Sequence, residues 1–174
     1  PSTYRALVEG PLRSRFELSF PEVNLGDKVI DVTHTITIQA GPYGYDASLV
    51  ISDPTGLVVV IGLVDLYKLP GNMIQSDGNQ ALYTFGLQSE NKDHLGMAIV
   101  TSKAGYLKTI DTDSVSVTIP DTYGLMTNAT ATRYRFYAGW EASNPAFKDQ
   151  QGFESYLQTD MQVWKQPVNM KWSK

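Results

Sequence analysis

From Arg13 to Phe20, and again from Val29 to Gln39, the chain alternates apolar with polar side chains, and no other feature constrains its fold as tightly. A period of two places successive side chains on opposite faces of an extended strand. Leu12, Ser14, Phe16, Leu18 and Phe20 share one side, against Arg13, Arg15, Glu17 and Ser19 on the other. Ile30, Val32, His34, Ile36 and Ile38 likewise oppose Asp31, Thr33, Thr35, Thr37 and Gln39. Two-faced strands of this kind suit an antiparallel sheet with one side on a core and the other carrying charge. The same period dominates from Tyr4 to Ala138, so further strands are expected over 47–52, 57–64, 81–88, 95–102, 114–119 and 131–138.

Turn chemistry separates these runs. Asp53-Pro54-Thr55-Gly56 has proline second and glycine fourth, as a type I turn favours, and predicts a hairpin between the runs on either side. Gly41-Pro42-Tyr43-Gly44, Pro70-Gly71-Asn72 and Ser76-Asp77-Gly78-Asn79 are further stops. Near Phe153 the period changes to 3.6. Phe153, Tyr156, Leu157, Met161 and Trp164 then recur on one side, with Pro167 just beyond, which predicts a single helix over about 150–165. Val168, Met170 and Trp172 alternate again and predict a closing strand over 168–172. Short strands without intervening helices define an all-β class, an antiparallel β-sandwich with one C-terminal helix.

At 174 residues the chain fits one sandwich domain spanning 1–174. A charged fraction of 18% against 11% aromatics describes a packed chain, with none of the charge excess of a disordered one. The formal net charge of -4 offers no general attraction to a phosphate backbone, so nucleic acid is not an expected partner. The longest apolar run, Leu57 to Val64, is far shorter than the ~20 residues of a membrane-crossing helix, and no membrane partner is expected. With no cysteine, thiolate metal sites, iron–sulfur ligation and cysteine nucleophiles are excluded. The two histidines lie sixty positions apart with no ligand spacing around them, and neither a nucleophile elbow nor a dinucleotide fingerprint occurs. No metal and no cofactor are therefore expected.

The remaining chemistry lies on the strands and at their ends. Arg13 and Arg15 project to the same side, where they serve either as solubilising charge or as a forked binder of a carboxylate, such as that of an acidic sugar. His34 shares its side with four aliphatic residues, so it is either a satisfied histidine at the core margin or the first candidate for proton transfer. His94 reads as an exposed loop histidine. Tyr43 with Tyr45, and Trp140 with Glu141, stand beside turns, where aromatic platforms commonly hold the apolar faces of sugar rings. The Tyr134/Tyr137/Trp140 cluster reads as core or as platform. Asn128-Ala129-Thr130 is a glycosylation sequon by form.

Three segments, YRALVEGPLRSRFELSF at 4–20, LYTFGLQSENKDHLGMAIV at 82–100 and RFYAGWEAS at 135–143, together resemble the C-terminal half of a bacterial family catalogued as domain of unknown function 4861. The resemblance implies a galactose-mutarotase-like supersandwich. It also implies a place in polysaccharide degradation, periplasmic or secreted, and a lyase or dehydratase acting on uronic-acid-containing oligosaccharides. Its members are about twice as long, so the resemblance further implies the C-terminal portion of a longer chain, working with a companion fragment or as a homo-oligomer. Eliminating water across C4 and C5 of a uronate needs a cation on the carboxylate, a base for the C5 proton and an acid for the departing hydroxyl. Arg13 or Arg15 would supply the cation, His34 or Tyr45 the base, and Glu141 or another tyrosine the acid, with Tyr43 and Trp140 against the sugar. A non-catalytic glycan-binding or structural module is the competing expectation.

Overall fold

The computed structural model describes residues 2–112, 121–130 and 132–165. Eleven strands form among them. The first six are β1 (Thr3–Val8), β2 (Arg13–Leu25), β3 (Lys28–Gln39), β4 (Gly44–Ile51), β5 (Val58–Val64) and β6 (Asn72–Ser76). Then come β7 (Asn79–Leu87), β8 (His94–Ser102), β9 (Tyr106–Asp111), β10 (Thr122–Asn128) and β11 (Thr132–Trp140). A 3₁₀ turn at Pro145–Lys148 leads into helix α1 (Gln150–Lys165). The expected strands at 114–119 and 168–172 lie outside the described residues.

Two antiparallel sheets result. Eight strands run in the order β1-β2-β3-β4-β11-β8-β7-β6, and three in the order β5-β10-β9. The all-β sandwich with one C-terminal helix that the periodicity predicts is thus what the chain forms. The Asp53–Gly56 turn does not close a hairpin: β4 lies in the large sheet and β5 in the small one, paired to β10. A local turn motif fixes a reversal of the chain but not the partner of the strand that leaves it. Here the Lys28 ammonium bonds Asp53 Oδ2 (2.9 Å) and the Thr55 carbonyl (2.6 Å), tethering the crossover to β3. A true two-residue hairpin joins β6 to β7, where Asp77 (φ 49°) and Gly78 (φ 79°) both take the left-handed conformation that a type I′ turn requires.

The large sheet is covered on both faces near its middle. On one face Ala81, Tyr83, Ala98, Val100 and Tyr137 pack against Phe147 and the Phe153, Leu157 and Met161 stripe of α1. On the other, Leu82, Ile99 and Tyr134 meet Ile61, Leu63 and Leu125 of the small sheet. This is why β7 and β8 carry buried residues in unbroken runs while β2 has none. The helix seats through a slot. Gly96 and Gly139 are cross-strand partners, and a Cβ on either would lie 2.5 Å or 2.8 Å from the Phe153 ring. Strands β1 to β3 extend beyond both covering layers, and there Tyr4, Leu12 and Ile38 are exposed.

Candidate binding shelf

Register decides which sequence-predicted residues meet. Across β2, β3, β4 and β11, Arg15 pairs with Thr37, Thr37 with Asp46, and Asp46 with Arg135. One step along, Glu17 pairs with Thr35, Thr35 with Ser48, and Ser48 with Arg133. These residues lie on the helix-bearing face, beside α1 and not beneath it. They form a polar shelf containing a depression of about 240 Å³ lined by Arg13, Arg15, Thr35, Thr37, Asp46 and Arg133, among others.

The back wall of the shelf is an ion-pair network. Arg135 donates Nε (3.0 Å) and Nη2 (2.9 Å) to the two oxygens of Asp46, and Nη1 (2.5 Å) to Asp160 on α1. The Tyr137 hydroxyl also bonds Asp160, and Trp164 Nε1 donates to Asp46 at 2.8 Å. Burial alone would lower the Arg135 pKa. Its bonds to Asp46, the neighbouring Tyr137 and the bond to Asp160 more than reverse that and raise its pKa. Burial, and then the bond to Asp160, pushes the Tyr137 hydroxyl up. Both Arg133 and Arg135 lie over the Trp164 ring, at 5.0 Å and 5.5 Å from its centroid.

This wall consumes the nearby negative charge. Asp46 is forked onto Arg135, Asp160 is shared, and Glu17 is taken by Arg5 at 2.9 Å. Arg13 and Arg15 remain exposed, with no ion-pair partner among the described residues. Two guanidiniums spaced along one strand over a hydroxyl-lined floor can take a carboxylate or sulfate in forked geometry.

The other candidates lie elsewhere. His34 and Tyr45 are on the opposite face of the sheet, where His34 Nε2 is 3.1 Å from the Tyr134 hydroxyl and Tyr45 stacks on Phe136 at 5.7 Å. Burial holds the His34 pKa below its usual value, raises that of Tyr45 and pushes Tyr134 up to about 12. Tyr43 is built into the helix seat: its backbone N–H donates to the Tyr156 hydroxyl (2.9 Å), and its ring meets Phe147 edge-on at 5.0 Å.

Trp140 and Glu141 stand at the far end of β11. Trp140 Nε1 donates to Asp93 (2.9 Å) and the Glu141 carboxylate grips His94 Nδ1 (2.6 Å). His94, expected in a loop, instead opens β8 and stacks on Phe85 at 5.5 Å. The structure therefore brings Arg13 and Arg15 together, and His34 with Tyr45 on one face, but does not gather all seven candidates at one place. Sequence reasoning missed Arg133 and Arg135. The signal was available, because Arg133 and Arg135 alternate with Tyr134 and Phe136 just as Arg13 and Arg15 alternate with Ser14 and Phe16.

Fold and shelf together define an antiparallel sandwich with an arginine-bearing polar surface beside its helix. The chain belongs to the family described as domain of unknown function (DUF4861), whose model matches residues 1–170. No curated protein and no solved structure matches it.

Proposed function

We propose that the chain binds uronic-acid-containing oligosaccharides on the shelf, with Arg13 and Arg15 holding the carboxylate, in the service of polysaccharide breakdown in the periplasm or outside the cell. The observation that carries this reading is the pair of exposed guanidiniums, without an ion-pair partner among the described residues, over a depression floored by Thr35 and Thr37. The half-buried threonine hydroxyls suit sugar hydroxyls, and no apolar contact is required of the floor. Titration calorimetry tests it. Arg13→Met and Arg15→Met should each cost about 1.5–3 kcal/mol of acidic-oligosaccharide affinity, the scale of a charged hydrogen bond, and leave neutral sugars unaffected. Equal losses for acidic and neutral sugars, or no preference for acidic ones in the parent protein, would refute it.

A second reading, dehydration, draws support from the His34–Tyr134 contact. Neutral His34 would take the C5 proton, the C4–O bond would break, and a tyrosine proton would leave with the hydroxyl as water, giving the C4=C5 double bond. This reading needs a uronate bound on the face opposite Arg13 and Arg15, which is why binding stands first. Appearance of the ultraviolet-absorbing unsaturated product, abolished by His34→Gln, would favour dehydration; its absence in the parent protein would exclude it.

A further inference from the structure

The shelf does not end at Arg133. Arg133 and Trp164 also line a second, larger depression of about 360 Å³, whose other walls include Asn79, Ser102, Ala104 and Asn128. The register makes the two continuous. Ser48 faces Arg133, Ser102 lies one step beyond the Tyr134–Thr101 pair on the same face, and Ser102 faces Asn79. A polar row of Glu17, Thr35, Ser48, Arg133, Ser102 and Asn79 thus crosses six strands of the large sheet from β2 to β7. At ~4.8 Å per strand the distance from β2 to β11 alone is about 14 Å, well beyond the reach of one pyranose ring. The chemistry changes along the row. The β2 end carries the exposed guanidiniums of Arg13 and Arg15, whereas the far depression offers amide and hydroxyl groups beside the indole of Trp164, with Arg133 the single charge common to both. Cation at one end and neutral hydrogen-bonding groups with an aromatic edge at the other match a ligand whose charge is confined to one end.

From this we infer that the ligand is an oligosaccharide laid across the strands. Its uronate sits at Arg13 and Arg15, and its following, neutral sugars pass over Arg133 into the depression beside Trp164, so that affinity grows with chain length. The inference rests on the shelf reading, and its test separates the two. Calorimetry is run with glucuronate alone and with di-, tri- and tetrasaccharides carrying glucuronate at one end. The parent protein should bind the tetrasaccharide at least tenfold more tightly than the monosaccharide. Ala104→Trp, in the exposed turn after β8, fills the far depression and should abolish that gain while leaving glucuronate binding intact. Thr130→Trp, at another residue lining that depression, should do the same, so the test does not depend on one variant folding. Affinity that is flat with chain length, with glucuronate still bound and still sensitive to Arg15→Met, would overturn this inference and spare the shelf. A gain that survives both tryptophan variants would also overturn it. Failure of every acidic ligand to bind would refute both.

Discussion

Replacing Arg135 with methionine removes the cation that the Asp46 and Asp160 carboxylates share beside the helix. The guanidinium side chain is 12% exposed, and those of Asp46 and Asp160 are 17% and 15% exposed, so water cannot take over its three hydrogen bonds. Methionine fills much of the aliphatic volume. What is lost is the charge, and truncating one partner of a largely buried pair costs about 3–5 kcal/mol because the survivors stay desolvated and uncompensated. Trp164 Nε1 on Asp46 and the Tyr137 hydroxyl on Asp160 soften the loss, which places the expectation near 3 kcal/mol. At a urea slope of about 2 kcal/mol/M, the tryptophan-fluorescence midpoint should fall by roughly 1.5 M. Arg135→Lys keeps the charge but not the fork, and should lose about half as much. Adding Asp46→Asn to Arg135→Met should cost less than the two single losses combined, since one orphaned charge disappears. A midpoint within 0.3 M of the parent, about 0.6 kcal/mol at that slope, or full additivity in the double variant, would show that the network is ornamental and that apolar packing alone seats the helix.

His34 predicts an acid limb in the stability curve. Burial depresses its folded-state pKa below the ordinary histidine value of 6.5, so the unfolded chain takes up the proton first as pH falls, and stability should decline below about pH 6.5 until the folded form also protonates. In His34→Gln that decline should be shallower, measured as urea midpoints from pH 8 to 5; an identical slope would refute the assignment. Gly96→Ala should destabilise by about 1–3 kcal/mol, because its new methyl would sit 2.5 Å from the Phe153 ring and push the helix off the sheet. Calorimetric melting that matches the parent's would show that the slot is loose.

What the sequence discloses is local, and what it withholds is pairing. The alternation in β2 and β3 sets which side chains share a face because the strand period is two wherever the strand is placed, so it suffices to put Arg13 beside Arg15 and His34 beside the aliphatics. The helix was equally legible, since Phe153, Leu157 and Met161 fall on one stripe and all three are fully buried. The short strands β6, β9 and β10 were not. Asn72–Ser76 has too few residues to display a period, and Tyr106–Asp111 and Thr122–Asn128 interleave lysine, threonine and glycine with their apolar side chains.

The site was half legible for the same reason. Parity says that Arg133 and Arg135 share a face of β11, but no local pattern says that β11 lies beside β4, because some eighty residues and the whole small sheet intervene. That non-local adjacency brings Asp46 to Arg135 and neutralises it there, leaving the positive charge of the shelf concentrated on β2. The pairing of β2, β3 and β4 parts Arg13 and Arg15 from His34 and Tyr45, since residues of opposite parity on paired strands stay on opposite faces however close their strands lie. A ligand held by Arg13 and Arg15 is therefore separated from His34 by the thickness of the sheet itself.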